Sequence, residues 1–263
     1  MTRRIKRHRD FELTLELKND DFIRPPRDSQ RNWLLNGVMA ETAERLLALD
    51  GHAARFVPGI DGLPTEDRSQ AVLSDEEIME DWQIPLMRAM AEGVTRSHGD
   101  VLEVGFGRGV SADFIQEGGV RSHTIIECND SIVGRFNAWA AAYPGASLHM
   151  AHGLWQDVLP TLGLFDGVFF HTYPLNEADI LEQIGDSATF AEHFFPHAAA
   201  HLKEGGVFTY LSNEIDSLSR THQRLLLRHF RSISLQVVGD LHLPEQVHDA
   251  WWADSMVVVQ AVK

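Results

Sequence analysis

The sequence predicts an α/β protein: a Rossmann-like, mostly parallel sheet covered by helices on both faces and preceded by an N-terminal extension. Three observations carry this. From residue 74 onward short apolar runs alternate with helical stretches. One of these runs ends in a glycine-rich turn that opens a helix, and the next ends in an acid.

Taken in order, the chain opens on a basic stretch with Arg3, Arg4, Lys6, Arg7 and Arg9. No apolar signal core follows it, so it reads as a solvated tail, or as a small docking patch for anions. Phe11 to Leu17 alternates apolar and polar residues, the period of a half-buried strand. Its apolar side needs a partner strand, in a small subdomain or across a homodimer. After Pro25-Pro26, Ser29 to Asp50 has the apolar stripe of a helix carrying Trp33, and a Pro/Gly-rich connector runs from Val57 to Pro64. Residues 1–70 are therefore an extension, a lid or a dimer arm, and residues 71–263 the main domain.

Ser74-Asp75-Glu76-Glu77 is a capping box, predicting a helix toward Ser97 that Pro85 interrupts or kinks. Strands are predicted at Val101–Phe106, Thr124–Glu127, Leu148–Met150, Gly167–His171, Val207–Leu211, Ile233–Val238 and Met256–Val262.

The 263 residues are enough for a substantial core. A formal charge of −15, from 38 acidic and 23 basic residues, disfavours nucleic acid as a partner. The single cysteine, Cys128, permits no internal disulfide and suits a reducing, cytoplasmic compartment. No apolar run is long enough to span a bilayer.

The stretch Val101-Leu102-Glu103-Val104-Gly105-Phe106-Gly107-Arg108-Gly109 is the most informative. Glycines after a strand let a ligand approach the main chain, and the helix start beyond them offers backbone N–H groups to an anion. The spacing is G-x-G-x-G, with Val110 where a dinucleotide fingerprint wants a small residue, and no G-K-[ST] marks a P-loop. With Glu103 before the turn, this resembles the motif of S-adenosylmethionine (SAM) methyltransferases. Glu127 follows Gly107 by 20 residues, where an acid can accept hydrogen bonds from both ribose hydroxyls.

From about Ile78 onward the chain resembles guanidinoacetate N-methyltransferase and the fungal arginine δ-N-methyltransferases. The resemblance rests on Ile78-Met79-Glu80-Asp81-Trp82-Gln83-Ile84-Pro85-Leu86-Met87, on Leu102 to Gly107, on Ile125-Ile126-Glu127-Cys128-Asn129-Asp130, on Gly153-Leu154-Trp155-Gln156-Asp157-Val158, on Phe165-Asp166-Gly167 and on Thr172-Tyr173-Pro174-Leu175. It implies a seven-stranded class I methyltransferase fold with an antiparallel last strand, and SAM as cofactor, with S-adenosylhomocysteine as its product. It also implies that Gly105, Gly107 and Gly109 frame the amino-acid end of SAM, that Glu127 and Cys128 lie at the ribose, and that Gly153, Leu154 and Trp155 lie by the adenine. Met79 and Trp82 would then pack near the sulfonium or the acceptor, with Gln83, His171 and Tyr173 at the acceptor.

Two positions depart from the family. Its guanidino group is gripped by two carboxylates, one in W-E-x-P-x-M and one opening D-T-Y-P-L. This chain has Gln83 and His171 there. A guanidinium buried without paired negative charge is costly, so the acceptor is expected not to be a guanidinium cation. His171 is the candidate catalytic base, or a hydrogen-bond donor to the acceptor. Trp251-Trp252 stands where the family has a Tyr pair. His193, His197 and His201 recur at helical spacing but read as a polar helix face, and no metal is expected. The resulting expectation is a SAM-dependent methyltransferase acting on a small molecule, preferably at nitrogen. The alternatives are a protein methyltransferase of arginine type and a non-catalytic SAM-binding module.

Overall fold

A computed structural model describes residue 69, residues 71–175, 189–212, 214, 217–242 and 254–263, and the backbone of two strands, β1 (Thr2–Arg7) and β2 (Phe11–Glu16). The helix expected at residues 29–50, with Trp33, and the pair Trp251-Trp252 lie outside the described residues.

The main sheet contains β3 (Asp100–Val104), β4 (Ser122–Glu127), β5 (Leu148–His152), β6 (Phe165–Phe170), β7 (Leu202–Leu211), β8 (Ser232–Val238) and β9 (Met256–Val262). The order across it is β5-β4-β3-β6-β7-β9-β8. Counted within this sheet, that is 3-2-1-4-5-7-6. Every pairing from β5 to β7 is parallel, and β9 runs antiparallel between β7 and β8. The seven apolar runs are thus seven strands, and the last strand has the reversed direction that the resemblance implies.

Burial explains why the central strands are largely apolar. Residues 101–104 of β3 and 256–261 of β9 are buried, because helices cover both faces. On one face α2 (Ile84–Thr95) and α3 (Val110–Glu117) pack Leu86, Met87, Met90 and Ile115 against Val101, Phe169 and Val258. On the other, α6 (Phe195–His201) and α7 (Arg220–Leu226) bring Phe195 and Leu226 to Leu102, Phe170, Phe208 and Tyr210. Beside β4, α4 (Asp130–Ala140) closes a smaller cluster in which Phe106 meets the rings of Phe136 and Trp139 edge-on at 5.5 and 5.4 Å. Each buried aromatic of this kind contributes roughly 1.5–3 kcal/mol.

Two local expectations are corrected. The basic N-terminus is not a tail: Thr2–Arg7 is a strand antiparallel to Phe11–Glu16, with Thr2 opposite Glu16 and Arg7 opposite Phe11. Only three residues separate the two segments, so the alternating strand finds its partner nearby. The capping box at Ser74 and Glu77 forms, but its helix, α1 (Asp75–Ile78), stops after one turn. Met79 and Glu80 are extended, Asp81–Gln83 form a 3-10 turn, and Pro85 sits in the first turn of α2. Proline therefore opens a second helix where its missing N–H costs nothing, instead of kinking one long helix.

The N-terminal ends of the strands are tied by charge. Asp100 binds Arg121 through both carboxylate oxygens, accepts from Ser122 Oγ at 2.8 Å and meets Lys203 Nζ at 2.9 Å. The same ammonium donates to Asp166 at 2.7 Å, and Asp166 accepts the Asp100 N–H at 2.7 Å. Arg121 and then Lys203 hold the Asp100 carboxyl well below its ordinary range. Burial works against Asp166, yet Lys203 and the Asp100 N–H bring its pKa down as well.

Candidate active site

The glycine turn leaves β3 at the opposite end of the sheet. Gly105, Gly107 and Gly109 have φ of 91°, 53° and 80°, conformations that side chains resist. At Gly105 a Cβ would stand 2.3 Å from the carbonyl oxygen of His171, so a glycine is required for β3 and β6 to end side by side. The His171 N–H donates to Val104, and the Gly105 N–H to Ile126, which joins the tips of three strands at the turn. Gly109 caps α3 with no side-chain hydrogen bond, so the first-turn N–H groups of this helix remain for an anion.

Glu127 closes β4 beside this turn. Its carboxylate accepts the N–H of Phe106 at 3.0 Å, of Cys128 at 2.8 Å and of Asn129 at 2.9 Å, and the residue is 8% exposed. A carboxylate has about four acceptor positions, and three are used. One ribose hydroxyl fits directly, and a second requires exchange of a backbone donor. Glycines that open the main chain, uncapped helix N–H groups and a neighbouring carboxylate together fit a ligand with a carboxylate at one end and vicinal hydroxyls further along. Gly153, with φ 148°, donates its N–H to the Glu127 carbonyl at 2.9 Å, which brings the Gly153-Leu154 corner to the same strand end. Leu154 begins α5 (Trp155–Val158). The Trp155 ring packs edge-on to Phe194 at 5.0 Å and lies 5.6 and 5.1 Å from His193 and His197. The expected polar histidine face is in this part an aromatic cluster. Among the described residues no three His, Cys, Asp or Glu side chains gather to hold a metal.

Glu103 is placed apart from the turn. It is fully buried between Ser111, which hydrogen-bonds its Oε1, and His123, whose Nε2 lies 2.9 Å from Oε2 without hydrogen-bond alignment. Gln116 meets His123 Nδ1 at 3.1 Å. Strand alternation turns Glu103 toward α3, so its hydrogen bond goes to the helix that follows the turn.

The residues expected at the acceptor come from the segment before α2 and from the end of β6. Ile78 packs on the turn: its Cγ2 would be 2.9 Å from a Cβ on Gly107. Met79 is buried with Met87 and Phe169. Trp82, partly buried, donates its indole N–H to Glu80 at 2.6 Å. Gln83 is 6% exposed, and its Oε1 has no hydrogen-bond partner among the described residues. His171 Nε2 is likewise buried without one, and burial pushes the imidazole down to about 4. Tyr173, 43% exposed, stands edge-on to the His171 ring at 5.7 Å. Asn129 and Arg108 were not singled out from the sequence. Asn129 caps α4 while its N–H holds Glu127, and its place directly after the acid and before a helix is the signal that could have found it.

A family model described as guanidinoacetate N-methyltransferase matches residues 63–233. Among curated relatives, the protein arginine N-methyltransferase 2 of Aspergillus oryzae is 30% identical over 142 residues, 51% of this chain and 31% of that protein. The protein of the same description from Yarrowia lipolytica is 27% identical over 161 residues, 56% of this chain and 31% of its own length. The chain thus spans less than a third of the relatives it matches. Among solved structures, a precorrin-6y C5,15-methyltransferase of Geobacter metallireducens covers 74% of this chain and 99% of its own, with a TM-score of 0.48 and 14% identity. An O-methyltransferase of Bacillus cereus in complex with SAH covers 93% and 94%, with a TM-score of 0.45 and 15% identity. A family match across 63–233 takes in well over half the chain, from ahead of α1 into β8, and so the chain belongs to the guanidinoacetate N-methyltransferase family of SAM-dependent methyltransferases.

Proposed function

We propose that this protein transfers a methyl group to a nitrogen of a small molecule that is not a guanidinium cation. The observation that carries this is the pair Gln83 Oε1 and His171 Nε2. Both are buried and unpartnered among the described residues, at the two positions where the family pattern has carboxylates. At about 4 Å and an effective dielectric of about 20, each missing carboxylate withdraws about 4 kcal/mol of attraction from a cation. A neutral acceptor loses none of this and gains two sites for hydrogen bonds.

SAM, when bound, supplies an electrophilic methyl group on a sulfonium. The chain's own residues hold, orient and enclose. The glycine turn and Glu127 fit the cofactor's amino-acid and ribose ends. Gln83 Oε1 accepts an N–H or O–H of the acceptor. His171, neutral at physiological pH, hydrogen-bonds the acceptor and serves orientation better than proton removal, because burial disfavours its charged form. Met79 and Trp82 contribute apolar walls that keep water away.

The arginine methyltransferases among the relatives favour a second reading, a protein substrate. One assay addresses both. Methyl transfer by the unmodified protein is measured to guanidinoacetate, free arginine and an arginine peptide beside neutral amines, hydroxyl compounds and amino acids. Turnover confined to neutral acceptors supports the proposal, and efficient methylation of any guanidino compound refutes it.

A further inference from the structure

The segment that leads to the acceptor side is held by its backbone, and the holders come from the glycine turn and from the Glu127 corner with the helix after it. Asn129 Nδ2 donates to the Ala71 carbonyl at 2.7 Å, and Arg135 of α4 donates to the Leu73 carbonyl at 3.1 Å. Both reach only the start of the segment. Arg108, inside the glycine turn itself, reaches further. Its Nη1 donates to the Met79 carbonyl at 2.9 Å and to Asp81 Oδ1 at 2.7 Å, and its Nε lies 4.0 Å from Asp75. Arg108 is thus the cofactor-turn side chain that binds the stretch ending at Gln83.

We propose that Arg108 is a positioning residue for the methyl acceptor, linking the turn that receives the cofactor to the stretch Met79–Gln83 that meets the acceptor. This rests on the reading that the turn receives SAM. The backbone of Arg108 lies between two glycines in the left-handed region, so a ligand seated on the turn bears directly on its conformation. At the other end its guanidinium holds the carbonyl of a buried residue, Met79, where the chain leaves α1: the Met79 N–H still closes that helix on the Asp75 carbonyl at 3.0 Å, while the backbone of Met79 and Glu80 is extended. The Asp81 side chain is 77% exposed, and exposed ion pairs contribute little to folding. The Asp81 ion pair therefore adds little to stability, and the part-buried bond to the Met79 carbonyl is the one that fixes where the chain runs.

The test is hydrogen exchange on the full chain with and without S-adenosylhomocysteine, beside calorimetry of the same ligand. In the unmodified protein the ligand should slow exchange at residues 78–83 by roughly tenfold, a typical coupling between sites. Arg108→Met should still bind the ligand but lose most of that slowing, and Arg108→Lys should retain part of it. Equal slowing in Arg108→Met and the unmodified protein overturns the inference. So does loss of ligand binding in Arg108→Met, which would make Arg108 a cofactor contact only. If Arg108→Met does not fold, Asp81→Asn decides: reduced slowing supports the linkage and unchanged slowing overturns it. Failure of the unmodified protein to bind S-adenosylhomocysteine would instead remove the cofactor reading beneath it.

Discussion

His171→Gln should make the protein less sensitive to acid. The imidazole is held near 4 by burial, against 6.5 when exposed in an unfolded chain. The unfolded state therefore binds a proton that the folded state refuses. Stability from this source is present above pH 6.5 and declines as pH falls toward 4. Linkage over those values gives a loss of about 2 kcal/mol between pH 7 and pH 4.5 that is specific to this one residue. Glutamine keeps a neutral polar group of similar reach and removes the titration. Urea unfolding of both proteins at both pH values measures the difference, and acid effects of the other histidines cancel in the comparison. The variant should lose about 2 kcal/mol less than the parent. Equal losses would show that His171 titrates normally in the folded protein. The neutral imidazole assigned to the acceptor site would then be wrong.

Glu127→Ala removes the acceptor for three backbone N–H groups beside the glycine turn. If Glu127 also meets the ribose, the change should weaken S-adenosylhomocysteine binding by on the order of 1–3 kcal/mol in calorimetry; unchanged affinity would show that it does not. Gln83→Glu combined with His171→Asp should raise methyl transfer to guanidino compounds above that of the parent, read in the same acceptor panel. Lys203→Met removes the shared cation from Asp100 and Asp166 and should lower unfolding free energy by about 1 kcal/mol at neutral pH. Because both carboxyls are held below their ordinary values, that difference should shrink as pH falls through the acid range, and a pH-independent difference would point to packing of the lysine stem instead.

The central strands β3, β4, β6 and β9 were legible because they are buried along almost their whole length and so are rich in apolar residues, whereas the edge strands β5 and β8 are largely exposed and showed only as short apolar stretches. The turn was legible because three glycines in five residues serve a backbone requirement. What escaped depends on neighbours distant in sequence. Glu103 sits in the cofactor motif, but its carboxylate is matched by His123 only once the register brings β3 and β4 together. Pro85 can kink a helix or open one, and the extended Met79-Glu80 ahead of it settles which. Trp155 belongs to a block associated with adenine, yet its ring is packed among side chains from near residue 194, a contact no local pattern announces. The basic opening residues read as a tail because charge is visible in a sequence and a partner strand is not.

The reversed strand β9 has a consequence for how the molecule is made. Residues 256–262 lie between β7 and β8, and β8 touches the rest of the sheet only through them. Until that stretch has left the ribosome, β7 has an open edge and β8 has nothing to pair with. The half of the sheet that carries the glycine turn and Glu127 can assemble early from strands close in sequence, whereas the other half waits for its last strand to be threaded between two that are already synthesised. Such late, long-range pairing is slow, and the edges it leaves open in the meantime are prone to aggregation.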